Sequence, residues 1–292
     1  MQDIVTDSSE GEDGNRRSGQ RTSRFGRNLA AAIGVGVLLG AVVIASLFIV
    51  KSVFVAFVIV AVGLAVIELS RALRPAGVTL PLVPLLAGVV GMLAGAYIAG
   101  TPALVGALGL TAFAVFAGRL LGGREGYVRD VTAGVFVALY VPFLASFAIL
   151  MLRPEDGPFR VLLFVAVTVA SDIGGYAAGV LFGRHKLAPE ISPGKTWEGL
   201  AGSALSCLAV GIVGVTVLLH GAWWAGLVLG VVATVTATAG DLVESMLKRD
   251  IGIKDMGSVL PGHGGVMDRL DSLLPTALVS WLVLTLLVAV PG

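Results

Sequence analysis

Long apolar runs, recurring from residue 29 almost to the C-terminus, constrain this chain more than any other feature. They fall at about 29–50, 52–70, 80–99, 102–121, 131–152, 160–182, 200–219, 222–243 and 272–290. A stretch of roughly 20 such residues crosses the ~30 Å hydrocarbon core of a bilayer as a helix. In lipid an unpaired peptide group has no water to turn to, so helix is the only sensible state for each run. The expectation is an all-α, polytopic membrane protein with about nine transmembrane helices. Composition agrees: 56% of the 292 residues are apolar and 13% are charged, against roughly 25% charged in soluble domains. The shortest connection, Lys51-Ser52, is the weakest boundary and could instead mark a broken or re-entrant segment.

Three regions follow. Residues 1–28 are polar, acidic first and basic after, and read as a disordered cytoplasmic tail. Residues 29–152 carry the N-terminal spans, and residues 153–292 carry the C-terminal spans with the candidate catalytic residues. The run at 29–50 is too long for the apolar core of a cleaved signal peptide. The single cysteine, Cys207, lies in an apolar run, so no intrachain disulfide can form and the residue reads as buried packing.

The net charge of +1 says little, but the placement of charge says more. With the tail in the cytoplasm, alternating spans put 17 of the 20 Lys and Arg residues inside and leave only Lys51, Arg153 and Arg160 outside. Cytoplasmic loops carry such an excess of basic residues. The two long connections, Gly183–Gly199 and Lys248–Asp271, both fall on the cytoplasmic side, which is where a substrate would be handled.

Chemistry gathers in these two connections. In GDLVESMLKRDIGIKDMGSVLPGHGGVMDRLDS, residues 240–272, Asp241, Glu244, Ser245 and Lys248 share one helix face. Lys248, Arg249 and Lys254 form a cationic cluster, and Gly262-His263-Gly264-Gly265 is a turn where peptide N–H groups can approach a phosphate. Asp268 and Asp271 follow at i, i+3, a spacing at which two carboxylates can share a hard cation. Oxygen ligands beside positive charge are what a magnesium–nucleotide site requires. Taken singly, most of these residues would read as positive-inside signals or surface ion pairs of little energetic weight. His263 could contact phosphate, do acid–base work or only shape the turn. In the second stretch, residues 171–199, Asp172 lies about ten residues inside its span, roughly 15 Å deep at 1.5 Å per residue. Acids inside a membrane are rare and functional by default. Gly174, Gly175 and Gly179 leave space beside it. Gly194-Lys195-Thr196 has the end of a P-loop, but position 189 is proline where that motif needs glycine, so the P-loop is rejected. Lys195 remains a reasonable mobile phosphate contact. Trp197, Trp223, Trp224 and Trp281 sit near span ends and read as interfacial anchors.

The run Ser245-x-Leu247-Lys248-Arg249-x4-Lys254-Asp255-x-Gly257-x2-Leu260-Pro261-x-His263-Gly264-Gly265-Val266-x-Asp268-Arg269-Leu270-Asp271 resembles the signature of phosphatidate cytidylyltransferases, also called CDP-diacylglycerol synthases. Ser171-Asp172, Gly183-Arg184 and Ile191-Ser192-Pro193-Gly194-Lys195-Thr196 are similar to that family's upstream region. The likeness covers about residues 165–275; the tail and first four spans carry no motif of the family. The resemblance implies a reaction of CTP with phosphatidic acid that yields CDP-diacylglycerol and pyrophosphate, with Mg²⁺. It implies Asp241, Asp268 and Asp271 as metal ligands, with Asp172 beside them. Asp172, Lys195, Lys248, Arg249, Asp268 and Asp271 become the candidate catalytic residues. Arg184, Ser192, Lys195, Thr196, Ser245, Lys248, Arg249, Lys254, His263, Gly264, Gly265 and Arg269 become the candidate substrate-binding residues. Expected partners are CTP, phosphatidic acid and membrane lipids, with no nucleic acid, and the expected location is the inner cell membrane. The family also suggests a second, monovalent cation and a homodimer. Rival readings are a polyprenol kinase, an ether-lipid cytidylyltransferase and a transporter for an anionic solute. The transporter should bind at the midplane within an inverted repeat, and no repeat is found.

Overall fold

The computed structural model describes residues 40, 44–120, 122–257 and 264–290. The tail, most of the span expected at 29–50, and His263 lie outside these residues. Among the described residues, eight helices are long and apolar enough to cross a membrane. They are α1 (Lys51–Leu73), α2 (Leu82–Ala99), α3 (Thr101–Leu120), α4 (Tyr127–Leu152), α5 (Gly157–Phe182), α6 (Trp197–Leu218), α7 (Trp223–Asp250) and α8 (Met267–Leu287). Each matches one of the last eight apolar runs. The protein is an all-α polytopic membrane protein.

Three local details follow from the residues. Residues 44–49 are helical and end at Val50, whose extended backbone (φ −144°, ψ 102°) separates them from α1. The Lys51-Ser52 junction is therefore a true break. In α4, Pro142 cannot donate a peptide N–H. The helix widens there into one π turn over Leu139–Phe143 and recovers. Residues 186–196, read from sequence as loop, form a small antiparallel hairpin of β1 (Lys186–Ala188) and β2 (Ser192–Thr196). Alternation of side chains in so short a ladder leaves too little apolar pattern to detect.

Helices α1, α2 and α3 pack in sequence order, as do α5, α6, α7 and α8, and α4 touches both groups. Lipid offers the helices no hydrophobic reason to associate, so close approach and polar contacts must hold them. The α5–α6 and α6–α7 seams are built this way. Ser203 Oγ donates to Ser171 O at 2.7 Å across the first seam. A methyl group at Gly230 would lie 2.8 Å from Cys207 O across the second. Gly226 and Gly230 thus mark a close backbone contact, whereas Gly91 and Gly95 meet Ala107 and Ala103 at ordinary distance. Trp197, Trp223 and Trp224 are exposed at helix starts, as anchors should be. Trp281 corrects the expectation: it packs on Phe147, ring centroids 5.1 Å apart, between α4 and α8.

Contacts sort the connections into two ends. Lys51 Nζ donates to Pro154 O at 2.6 Å, and Arg153 lies against Gly100. Arg160 reaches the end of α8, donating to Leu284 O at 2.7 Å and to Val288 O at 3.0 Å. Lys51, Arg153 and Arg160 therefore lie at one end of the bundle. At the other end Thr79 N and Arg119 Nε donate to the buried Asp130, at 3.0 and 2.8 Å, and Arg249 Nε donates to Ile191 O at 3.3 Å. The alternation assumed from charge is present in the contacts.

Arg160 is buried, pairs with Asp156 at 2.8 Å and satisfies carbonyls that a helix end leaves orphaned. Truncating one partner of a buried pair costs about 3–5 kcal/mol. Arg160→Ala should lower the melting temperature of the detergent-solubilised protein by several degrees, and Arg160→Lys should recover part of the loss. An unchanged melting curve for the alanine variant would show that this end of the bundle is held by packing alone.

Candidate active site

At the end of the bundle opposite Arg160, α5 to α8 and β2 surround a cleft of about 610 Å³. Each helix contributes for a local reason. Helix α5 brings Ser171 and Asp172 where glycines at 174, 175 and 179 let α6 close in behind. Helix α7 runs 28 residues, to Asp250, and so carries Asp241 beyond its apolar stretch to the cleft wall. Helix α8 begins with a short turn, Met267–Leu270, then breaks at Asp271-Ser272 before the span resumes. Asp268, Arg269, Asp271 and Ser272, at this start of α8, line the cleft.

Lys195 Nζ lies 2.6 Å from Asp241 Oδ2 and also donates to Thr238 O at 3.4 Å. Asp172, though deep in the sequence of its span, is exposed to this cleft and shares it with Lys195, Asp241 and Arg269. An acid exposed to an open cleft does not incur the cost it would carry against lipid. Asp271 Oδ1 accepts from Ser272 N at 2.6 Å. One side of the cleft is apolar: Tyr176 is 76% exposed and Val180 65% exposed, both on α5.

Asp268 stands apart from the other acids. Its oxygens accept from Lys248 Nζ (3.0 Å), Met256 N (3.1 Å) and Gly265 N (2.9 Å). Lys248 Nζ lies 3.1 Å from Glu244, which is fully buried. A carboxylate with that many donors has little lone-pair capacity left for a metal. Among the described residues no three His, Cys, Asp or Glu side chains stand close enough together to hold an ion. Magnesium does not require such a cage, since it usually takes one or two carboxylates plus phosphate oxygens and water. Asp241 and Asp271, hard oxygen donors on one cleft, fit that demand.

The other expected residues divide plainly. Ser192 lines both the cleft and a neighbouring cavity of about 140 Å³ that also touches Ser245, Lys248, Arg249 and Lys254. Ser245 Oγ donates to Asp241 at 3.3 Å. Thr196 faces the cleft, but its Oγ1 caps α6, accepting from Gly199 N at 3.1 Å. Gly264 takes a left-handed conformation (φ 78°), as the expected turn requires. Arg184 lines neither cavity. Its peptide N–H, with that of His185, donates to Glu198. Two residues escaped the sequence reading. Glu198 holds the start of the hairpin, pairing with His185 at 2.6 Å. Glu68, on α1, is buried and accepts from Met267 N at 2.9 Å. An acid inside an apolar run was the available signal for Glu68.

A polytopic bundle with carboxylates and cations gathered in one open cleft, apolar on one side, belongs to the class of membrane enzymes that act on a phosphate-bearing lipid. The chain belongs to the cytidylyltransferase family, whose model matches residues 30–287. It is 44% identical over 288 residues to a phosphatidate cytidylyltransferase of Mycobacterium leprae, covering 93% of this chain and 92% of that one. It is 45% identical over 281 residues to the protein of that name from Mycobacterium tuberculosis H37Rv, covering 91% and 85%. A Haemophilus influenzae protein of the same name is 40% identical over 143 residues, 46% of this chain.

Asp172 allows a direct test. Asn preserves the shape and hydrogen bonding of a structural acid but removes its charge. If Asp172 orders substrate charge in the cleft, Asp172→Asn should lower turnover by about 100-fold while the melting temperature holds. Turnover within about threefold of the parent, across a range of CTP and Mg²⁺ concentrations, would remove Asp172 from the site.

Proposed function

We propose that this protein transfers CMP from CTP to phosphatidic acid, giving CDP-diacylglycerol and pyrophosphate, as part of phospholipid synthesis. The observation that carries the reading is the cleft itself. Asp172, Asp241, Asp271, Lys195 and Arg269 share one space, and its α5 side is an exposed apolar face. A phosphate headgroup suits the charged end, and acyl chains suit the face of Tyr176 and Val180.

A phosphate oxygen of phosphatidic acid bonds to the α-phosphorus of CTP. The α–β bridging bond breaks, and its electron pair leaves with pyrophosphate. The nucleophile is already an anion, so no strong base is needed. What the protein must do is bring two polyanions together and stabilise the leaving charge. Lys195 and Arg269 offset headgroup and phosphate charge in the cleft. Arg249 and Lys254, around the smaller cavity, suit the terminal phosphates. Lys248 keeps Asp268 in place, and Ser192 sits between the two cavities. Mg²⁺, held by Asp241 and Asp271 with phosphate oxygens, would neutralise charge on the nucleotide and polarise the reacting phosphorus. Asp268 serves better as an acceptor that fixes the surrounding chain than as a third ligand. A second, monovalent cation and a homodimer are part of the proposal by family likeness alone.

Purified protein with phosphatidic acid, Mg²⁺ and CTP labelled on the α-phosphate should yield a labelled lipid, while γ-labelled CTP should yield only labelled pyrophosphate. Chelation should stop the reaction. Label passing to lipid from the γ-phosphate would mean a kinase, and full turnover in chelator would remove the metal.

We further propose that the cleft opens to the cytoplasm of a cell whose inner membrane holds the bundle. This rests on the 17 basic residues assigned to that side. In a Cys207→Ala background, a cysteine replacing Glu155 should react with an impermeant thiol reagent in intact cells. One replacing Ser192 should react only after lysis. The reverse pattern would invert the orientation.

A further inference from the structure

We propose that Glu68 is a positioning residue for the reaction above: from the N-terminal half of the bundle, it fixes the entry to α8 and thereby the acids that α8 carries. The inference rests on that reading of the cleft, but not on any role of Glu68 in touching substrate.

Glu68 sits near the end of α1, far in sequence from every motif residue, and is 2% exposed. A carboxylate there must be hydrogen-bonded or paired to be tolerated. Its Oε2 accepts from Met267 N, the first residue of α8, at 2.9 Å. Its Oε1 is buried with no hydrogen-bond partner among the described residues. Two glycines close around the same carboxylate. A methyl group at Gly265 would stand 2.8 Å from Oε2, and one at Gly257 would overlap Oε1. The methyl at Gly265 would also stand 2.8 Å from Gly257 N and 2.9 Å from Asp268 Oδ2. Gly257 and Gly265 therefore meet at a neck on which two carboxylates converge. Glu68 takes the N–H of Met267, and Asp268 takes those of Met256 and Gly265. Only residues without a side chain fit between them.

The geometry has a consequence for the site. A helix N-terminus leaves its first N–H groups without partners. Supplying an acceptor from α1 fixes where α8 starts, and Asp268 and Arg269 of that short first turn, with Asp271 just after it, line the cleft. A misplacement of about 1 Å in such groups can cost 100-fold in rate. Gln at position 68 retains an oxygen acceptor for Met267 N–H; Ala does not.

The test compares Glu68→Ala and Glu68→Gln in the full chain, reading melting temperature, kcat, and KM for CTP and for phosphatidic acid per folded enzyme. Glu68→Ala should remain folded, lose at least about tenfold in kcat and raise KM for CTP more than KM for the lipid. Glu68→Gln should restore most of the kcat. A residue that only stabilises the fold would lower the melting temperature of the alanine variant and leave the kcat of the folded fraction unchanged, overturning the proposal. So would a glutamine variant as impaired as alanine. Should Glu68→Ala fail to fold, Gly257→Ala offers the second route: its methyl would press on the Glu68 side chain, and the variant should show the same kcat loss with Glu68 present. Normal kcat there would overturn the proposal equally. If the parent enzyme itself makes no CDP-diacylglycerol, it is the reaction assignment that fails, before any variant is compared.

Discussion

Lys248 places one ammonium between two carboxylates, 3.1 Å from Glu244 and 3.0 Å from Asp268, where the first is fully buried and the second nearly so. The ammonium serves both acids, and Asp268 also accepts the N–H groups of Met256 and Gly265. This contact joins the end of α7 to the start of α8, and the position of Arg269 and Asp271 depends on it. Without Lys248 the beginning of α8 would lose the ion pair that holds it beside α7. Its cost in desolvation is large, so its gain lies in geometry more than in net stability.

How much of this could be read beforehand varies with the physics involved. Spans were legible because the membrane imposes a length and an apolar composition, and both are visible in any window of twenty residues. Alternation was legible because Lys51, Arg153 and Arg160 are so few on one side; their contacts with Pro154, Gly100 and the end of α8 put them at one end of the bundle. The cleft acids were legible as a set, since carboxylates in and beside apolar runs carry a cost that calls for a reason. Individual roles were not. Asp268 and Asp271 stand three residues apart and look equivalent in sequence, yet one is occupied by three donors and the other faces the cleft. That difference comes from Lys248, Met256 and Gly265, whose approach no spacing rule encodes. Thr196, a candidate substrate contact, lines the cleft and also caps α6, whereas Arg184, another, lines neither cavity. Glu68 was missed because attention to motifs favours dense clusters over a single acid in a long apolar run.

The acids of this bundle fall into two groups by what surrounds them. Glu68, Asp130, Asp156 and Glu244 are buried, and each lies where two elements of chain meet. Asp172, Asp241 and Asp271 open on the cleft, and the partners they have are a lysine, a serine hydroxyl and a neighbouring peptide N–H. Asp268 belongs to both, lining the cleft while its oxygens fix the backbone behind it. An enzyme that joins two polyanions needs this separation. Open carboxylates attract a cation that the substrates can share, but left unanchored they would repel one another and the substrates alike. Two of the buried carboxylates, Glu68 bonded to Met267 N and Glu244 paired with Lys248, hold the start of α8 that carries the open ones. In this chain the two duties are divided among residues as close as Asp268 and Asp271. The substitution of one for the other is therefore a change of duty, even though the side chain is the same.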